Sequence, residues 1–215
     1  MVKRAVLTTV IATALVANAL AAWNVNIITS SGVLNPPSVV VSVPTSVMTS
    51  PLPQITFQTA AATPNPILVG NGTSFTNGSF SGVYSISPMP GNTNLLTGFN
   101  FVIAGYVDGA AMIVWQKKVV RNSDNALLYN GAGMFAGSGF GGVNGAFSAV
   151  IPVTLSQPAN DVTVYENFLL YVLPSNPVST AGLLLVQQDW VPEPASLLAL
   201  GSGLVSLVAL RRRKR

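Results

Sequence analysis

Glu193 stands between Pro192 and Pro194, directly ahead of an uncharged apolar run, residues 195–210, and a basic cluster of Arg211, Arg212, Arg213, Lys214 and Arg215. Proline lacks a backbone N–H and fixes φ, so the triplet is predicted to stay extended, outside any ladder or helix interior. A lone carboxylate in that frame offers recognition, not acid–base catalysis. Residues for catalysis are sparse elsewhere. The chain has no histidine, which removes the commonest general base and metal ligand. Its six carboxylates are Asp108, Asp124, Asp161, Glu166, Asp189 and Glu193, spaced five or more apart except for the last two. Asp161 and Glu166 fall on opposite faces of an extended strand. Asn122, Asp124 and Asn125 with Asn130 could give a calcium loop, but turn chemistry explains them equally well, and no metal or other cofactor is assigned. A serine nucleophile would need lysine as its base, and Lys117 and Lys118 have no nucleophile motif near them. The expectation is that the protein is not an enzyme.

Both ends of the chain read as targeting segments. As a helix, residues 195–210 would be about 24 Å long, slightly short of a bilayer core of about 30 Å, and arginine stems can snorkel across part of the gap. Pro194 suits the first helical position, and Glu193 lies at the positive end of the helix dipole. The basic cluster 211–215 holds that end on the cytoplasmic side. At the other end Lys3 and Arg4 precede an apolar stretch, residues 5–17, and small residues at Ala19, Ala21 and Ala22 offer cleavage positions. This is the pattern of a secretory signal peptide, predicted over residues 1–22. The expected structure therefore has an N-terminal signal helix, a C-terminal transmembrane helix and a translocated body between them.

The formal charge of +4 belongs to those ends. Between them three basic residues face six acidic ones, a net charge of −3. The small Lys117, Lys118, Arg121 cluster reads as a solvated edge or strand end, and a nucleic-acid groove needs many more cations. No cysteine is present, so the body has to stand on its hydrophobic core.

That body reads as strands. Residues 23–66 hold seven of the fifteen prolines and suggest a loosely attached region of edge strands, at 39–43 and 55–58. From residue 67 to 190, turn signals (Asn71-Gly72, Asn77-Gly78, Pro90-Gly91) separate β-rich segments. Asn71 and Asn77 also open N-glycosylation triplets, which turn chemistry accounts for. Phe80, Gly82, Tyr84 and Ile86 alternate with Ser79, Ser81, Ser85 and Ser87, apart from Val83, and Phe99, Phe101, Ile103 and Val107 share a face. Asp108-Gly109 predicts a hairpin into residues 110–120. Strands follow at 146–155, 162–172 and 182–188; the continuous apolar run 168–172 suggests a central strand covered on both faces. Gly137, Gly139 and Gly142 formally match a dinucleotide-binding fingerprint, but no helix pattern follows, and a glycine-rich loop or hairpin explains them. The fold class is all-β: an antiparallel β-sandwich, jelly-roll-like.

Val191, Pro192, Glu193 and Pro194, with the apolar run and the basic cluster, resemble the PEP-CTERM sorting signal over residues 191–215. The resemblance implies processing near the triplet by a membrane enzyme, exosortase, after export by the Sec machinery. It further implies anchoring in the inner membrane before processing, then display on the cell surface or in an extracellular matrix rich in exopolysaccharide. It says nothing of the body. Two readings of the body stay open: a structural or adhesive matrix protein of biofilm, and a carbohydrate-binding module that retains exopolysaccharide. Trp115, Tyr84, Tyr106 and Tyr129 could stack on sugars, although aromatics in strands are more often core; three or more coplanar exposed aromatics would favour binding.

Overall fold

The computed structural model describes residues 23–33, 41–42, 53–59, 67–72, 76–176 and 178–193. The signal-peptide residues Ala19, Ala21 and Ala22, together with Pro194, the apolar run and the cluster 211–215, lie outside the described residues. Eleven strands run β1 (Trp23–Val33), β2 (Val41–Ser42), β3 (Gln54–Thr59), β4 (Ile67–Gly70), β5 (Asn77–Pro88), β6 (Leu96–Asp108), β7 (Ala111–Arg121), β8 (Leu127–Ala136), β9 (Gly145–Ala159), β10 (Val162–Val172) and β11 (Thr180–Pro192). A single 3₁₀ turn, Ser138–Phe140, is the one helical element among the described residues. No helix among them is long and apolar enough to cross a membrane.

The strands form two antiparallel sheets. The front sheet has the order β1-β5-β10-β7-β8, and the back sheet β2-β3-β11-β6-β9, with β4 also paired to β11. Alternation of side chains decides which residues meet between them. On the front sheet Phe80, Tyr84, Ile86, Ile113, Trp115, Val164, Phe168 and Leu170 point inward; on the back sheet Phe99, Phe101, Ile103, Val186 and Trp190 do so. The faces interdigitate through aromatic contacts across the gap. The Phe101 ring lies 5.1 Å from Trp115 and 6.2 Å from Phe168. Phe99 sits 4.6 Å from Trp190 within the back sheet. Gly133 faces Trp115 across the β7–β8 pair, and a Cβ there would meet the indole at 2.7 Å, so glycine at this position makes room for the ring.

Several local expectations change. Asp108-Gly109 is a turn, with Gly109 at φ 63°, but not a hairpin: β6 is in the back sheet and β7 in the front. The chain crosses between sheets at every connection from β5 to β11 except β7–β8, the crossing pattern of a jelly-roll sandwich. A turn dipeptide sets a local reversal and leaves the partner strand to packing. Asn77-Gly78 lies inside β5, whereas Asn71-Gly72 and Pro90-Gly91 do turn. Strand β10 is central, but Leu169 is exposed and Tyr171 half-buried, so its outer face is not covered. Segment 23–66 supplies strands to both sheets: β1 pairs with β5 and places Trp23 and Val25 in the core, and β3 pairs with β11 and places Ile55 there. Edge positions for β1 and β2 fit the proline-rich sequence around them.

Candidate functional sites

The sorting triplet begins inside the sandwich. Strand β11 runs to Pro192, with Val191 opposite Gly98 and Pro192 opposite Leu96 across a register shift. Thr97 Oγ1 donates to the Val191 carbonyl at 3.1 Å, and the Glu193 N–H donates to the Leu95 carbonyl at 2.6 Å. The expectation that the triplet stays out of any ladder is therefore corrected for Pro192, which ends the strand, while Glu193 adds a backbone bond just beyond it. A proline at the last strand position forfeits one ladder donor, and its φ suits an extended backbone. Trp190, two residues before the triplet, is fully buried, and its backbone N–H donates to the Pro53 carbonyl at 2.9 Å. The triplet thus follows core with no spacer.

A second site lies on the outer face of the front sheet. Cross-strand register puts Tyr165 beside Lys118 and Lys118 beside Asn130; one pair along, Asn167 stands beside Gln116. These outward residues line an open depression of about 290 Å³. Ser81 Oγ donates to Asn167 Oδ1 at 2.6 Å and orients that amide, and the Lys118 ammonium sits 5.8 Å from the Tyr165 ring centroid. One aromatic face with amides and an ammonium around it suits a polyhydroxylated ligand. The aromatics picked from sequence do not build this face: Trp115 and Tyr84 are core, Tyr129 is half-buried, and Tyr106 is exposed on the back sheet. Tyr165 was legible only through the period of two in β10, which alternates it with the inward Val164 and Glu166.

The third cluster is buried. Lys117, expected at a solvated edge, points between the sheets, because residues 113, 115, 117 and 119 share the inward face of β7. Its ammonium pairs with Glu166, the directly opposed residue on β10, and both side chains are fully buried. Gln188 Nε2, from β11, donates to the same Glu166 Oε2 at 2.9 Å. Burial pushes the Glu166 carboxyl up and pulls the Lys117 amine down, each opposed by its partner's charge. Tyr84, which accepts from Trp190 Nε1 at 3.3 Å, is held well above the usual tyrosine range by burial and by the nearby Glu166 charge. Lys118 and Arg121 remain outside the core; Arg121 donates to both Asp124 oxygens, at 2.9 and 2.8 Å. That guanidinium, with the Ala126 N–H, holds Asp124 below the usual carboxylate range. Asn122 instead bonds Asp161 and Thr163, and Asn130 stands on β8, so the four candidate calcium ligands do not converge. Among the described residues no three acidic side chains gather around a metal position.

Comparison with known proteins decides the first of these sites. Residues 191–214 match the PEP-CTERM protein-sorting motif. The chain carries a PEP-CTERM sorting signal. No curated protein matches the chain. Among solved structures it is similar to the enzymatically active domain of tailspike protein 4 of bacteriophage CBA120, at 12% identity and a TM-score of 0.30 over 77% of this chain and 19% of that one. It is also similar to the CBM36-1 domain of a multidomain xylanase from the hindgut metagenome of Trinervitermes trinervoides, at 10% identity and a TM-score of 0.30 over 74% and 96% of the two chains. A family 11 carbohydrate-binding module from Clostridium thermocellum gives 12% identity and a TM-score of 0.26 over 77% and 95%. Overlaps this slight carry no weight in the reading of this chain, whose sandwich rests on its own strand pairing.

Proposed function

We propose that this is an exported surface or extracellular-matrix protein, held in the inner membrane by its PEP-CTERM tail until exosortase-type processing. Its body then serves a structural or adhesive role in exopolysaccharide, without catalysing a reaction. The carrying observation is the match over residues 191–214, which continues directly from the last strand of a closed sandwich. Glu166, the one fully buried carboxylate among the described residues, is sealed between the sheets, where no solute substrate reaches it. The test is replacement of Pro192, Glu193 and Pro194 by alanine in the native host, with the mass of the C-terminal fragment as readout. The tail is expected to insert but to remain uncut in the inner membrane. Unchanged processing would refute the recognition role and leave the tail as a plain anchor.

A second reading, that the body binds carbohydrate and retains exopolysaccharide, rests on the Tyr165, Asn167, Gln116, Lys118 and Asn130 face, whose one aromatic falls short of the three coplanar exposed rings that would favour binding. The two readings part on whether that face has affinity for the host's own polysaccharide.

A further inference from the structure

Lys117, Glu166 and Gln188 are three reactive side chains enclosed between the sheets, and neither sorting nor surface binding uses them. Lys117 and Glu166 come from adjacent strands of the front sheet, Gln188 from the back sheet. Glu166 Oε2 accepts from Lys117 Nζ and from Gln188 Nε2. Two donors on one oxygen lie within about two hydrogen-bond lengths of each other. The rings of Phe99 and Phe101 wall the cluster, with Lys117 Nζ 5.7 and 4.4 Å from their centroids. Glu166 Oε1 and Gln188 Oε1 have no hydrogen-bond partner among the described residues. As an ion pair the arrangement is poor, because two desolvated charges with an unsatisfied carboxylate oxygen recover little of the cost of leaving water. As an amine, an amide and an acid set between them, it is a complete set of reactants.

We propose that Lys117 and Gln188 join in an intramolecular isopeptide bond, with Glu166 as the proton shuttle. The free-base amine of Lys117 attacks Gln188 Cδ, and the carbonyl π pair moves onto Oε1. Glu166 Oε2 takes a proton from Nζ and delivers one to Nε2. The Cδ–Nε2 bond then breaks, ammonia leaves, and the carbonyl re-forms. One amide replaces another, so the step needs no oxidant, reductant or co-reactant. Burial, which pulls the Lys117 amine down against the opposing Glu166 charge, favours the free base that attack requires. Enclosure supplies the rate: well-oriented intramolecular partners reach effective molarities of about 10⁵–10⁸ M, enough to bring forward an exchange that is negligible between separate molecules in water. Gln188 is a better acceptor than Glu166, because condensation onto Glu166 would consume the group that touches both nitrogens. The bond ties the front sheet to the back sheet in a chain that has no cysteine for a disulfide.

The test is the mass of linked peptides from the purified full chain, denatured and cut after acidic residues. Cleavage at Asp108 and Asp124 releases Lys117 within residues 109–124, and cleavage at Glu166 and Asp189 releases Gln188 within residues 167–189. The expected product is these two peptides joined, lighter than their sum by one ammonia; in Glu166→Gln, where the cleavage point at 166 is lost, the Lys117 peptide and a Gln188 peptide of residues 162–189 appear separately. Separate peptides from the wild-type chain overturn the proposal, and so does a linked species lighter by one water and mapped to Glu166. An ammonia-loss product that persists in Glu166→Gln overturns the shuttle assignment. The wild-type measurement does not depend on any variant folding.

Discussion

Substituting Thr97 by valine should make the sorting tail easier to process. In the folded protein Val191 and Pro192 pair with Gly98 and Leu96 of β6, and the stretch is further held by the Thr97 hydroxyl on the Val191 carbonyl and by the Glu193 N–H on the carbonyl of Leu95, just ahead of β6. A net hydrogen bond is worth about 0.5–1.5 kcal/mol, so these two bonds add about 1–3 kcal/mol to the cost of peeling the stretch away. Fraying stops at Trp190, whose buried indole would cost about 3–5 kcal/mol to lose, by comparison with large-to-alanine core substitutions. An enzyme that grips the backbone around Glu193 therefore meets a closed end most of the time. Thr97→Val keeps the β-branched shape and deletes one of the two bonds, which raises the open fraction about 2- to 10-fold. Val191 is exposed, so water can hydrate the freed carbonyl, which places the effect toward the lower end. Pulse–chase labelling in the native host, scored by loss of the tail, should show faster processing of the variant. Denaturant unfolding should stay within about 0.5 kcal/mol of wild type, as for a surface substitution. Equal rates with intact stability would show that the enzyme acts before β11 pairs, and the argument from fraying would fail.

Tyr84→Phe should flatten the alkaline limb of stability. The buried hydroxyl titrates well above its unfolded value, so only the unfolded chain ionises once pH passes the ordinary tyrosine range. Its contribution is fully present below that range and falls as pH rises toward the folded value; thermal melts from neutral to strongly alkaline pH should show a shallower decline in the variant. Tyr165→Ala should weaken retention in affinity electrophoresis against the host's polysaccharide several-fold, without loss of stability because the ring is 44% exposed. Identical mobility of wild type and variant would remove the carbohydrate-binding reading.

The front-sheet face of β5 was readable because Phe80, Tyr84 and Ile86 sit two apart and all turn inward, as do Phe99, Phe101 and Ile103 on β6. Partners were not readable. Asp108-Gly109 announces a reversal, yet which sheet receives β7 depends on packing more than sixty residues away, where Ser179 Oγ accepts from the Ala110 N–H at 2.9 Å. Lys117 misled for a related reason. Its charge argues for solvent, and only the position of Glu166, directly opposite on β10, allows it to face inward. The triplet misled in the other direction: proline rules disfavour a ladder, but they permit a strand to finish on Pro192.

Strand order also sets a timetable. Strand β11 lies between β3 and β6 in the back sheet, so that sheet cannot close until residue 192 is available, although β3 was made more than a hundred residues earlier. For a chain threaded across a membrane amino end first, the sandwich finishes only as the tail reaches the bilayer. Trp23, buried at the start of β1, immediately follows the predicted leader cleavage positions. Its strand pairs with β5 in the front sheet, so it does not wait for β11. Only the back sheet is made to wait, because the strand it lacks is the one that leads into the sorting signal.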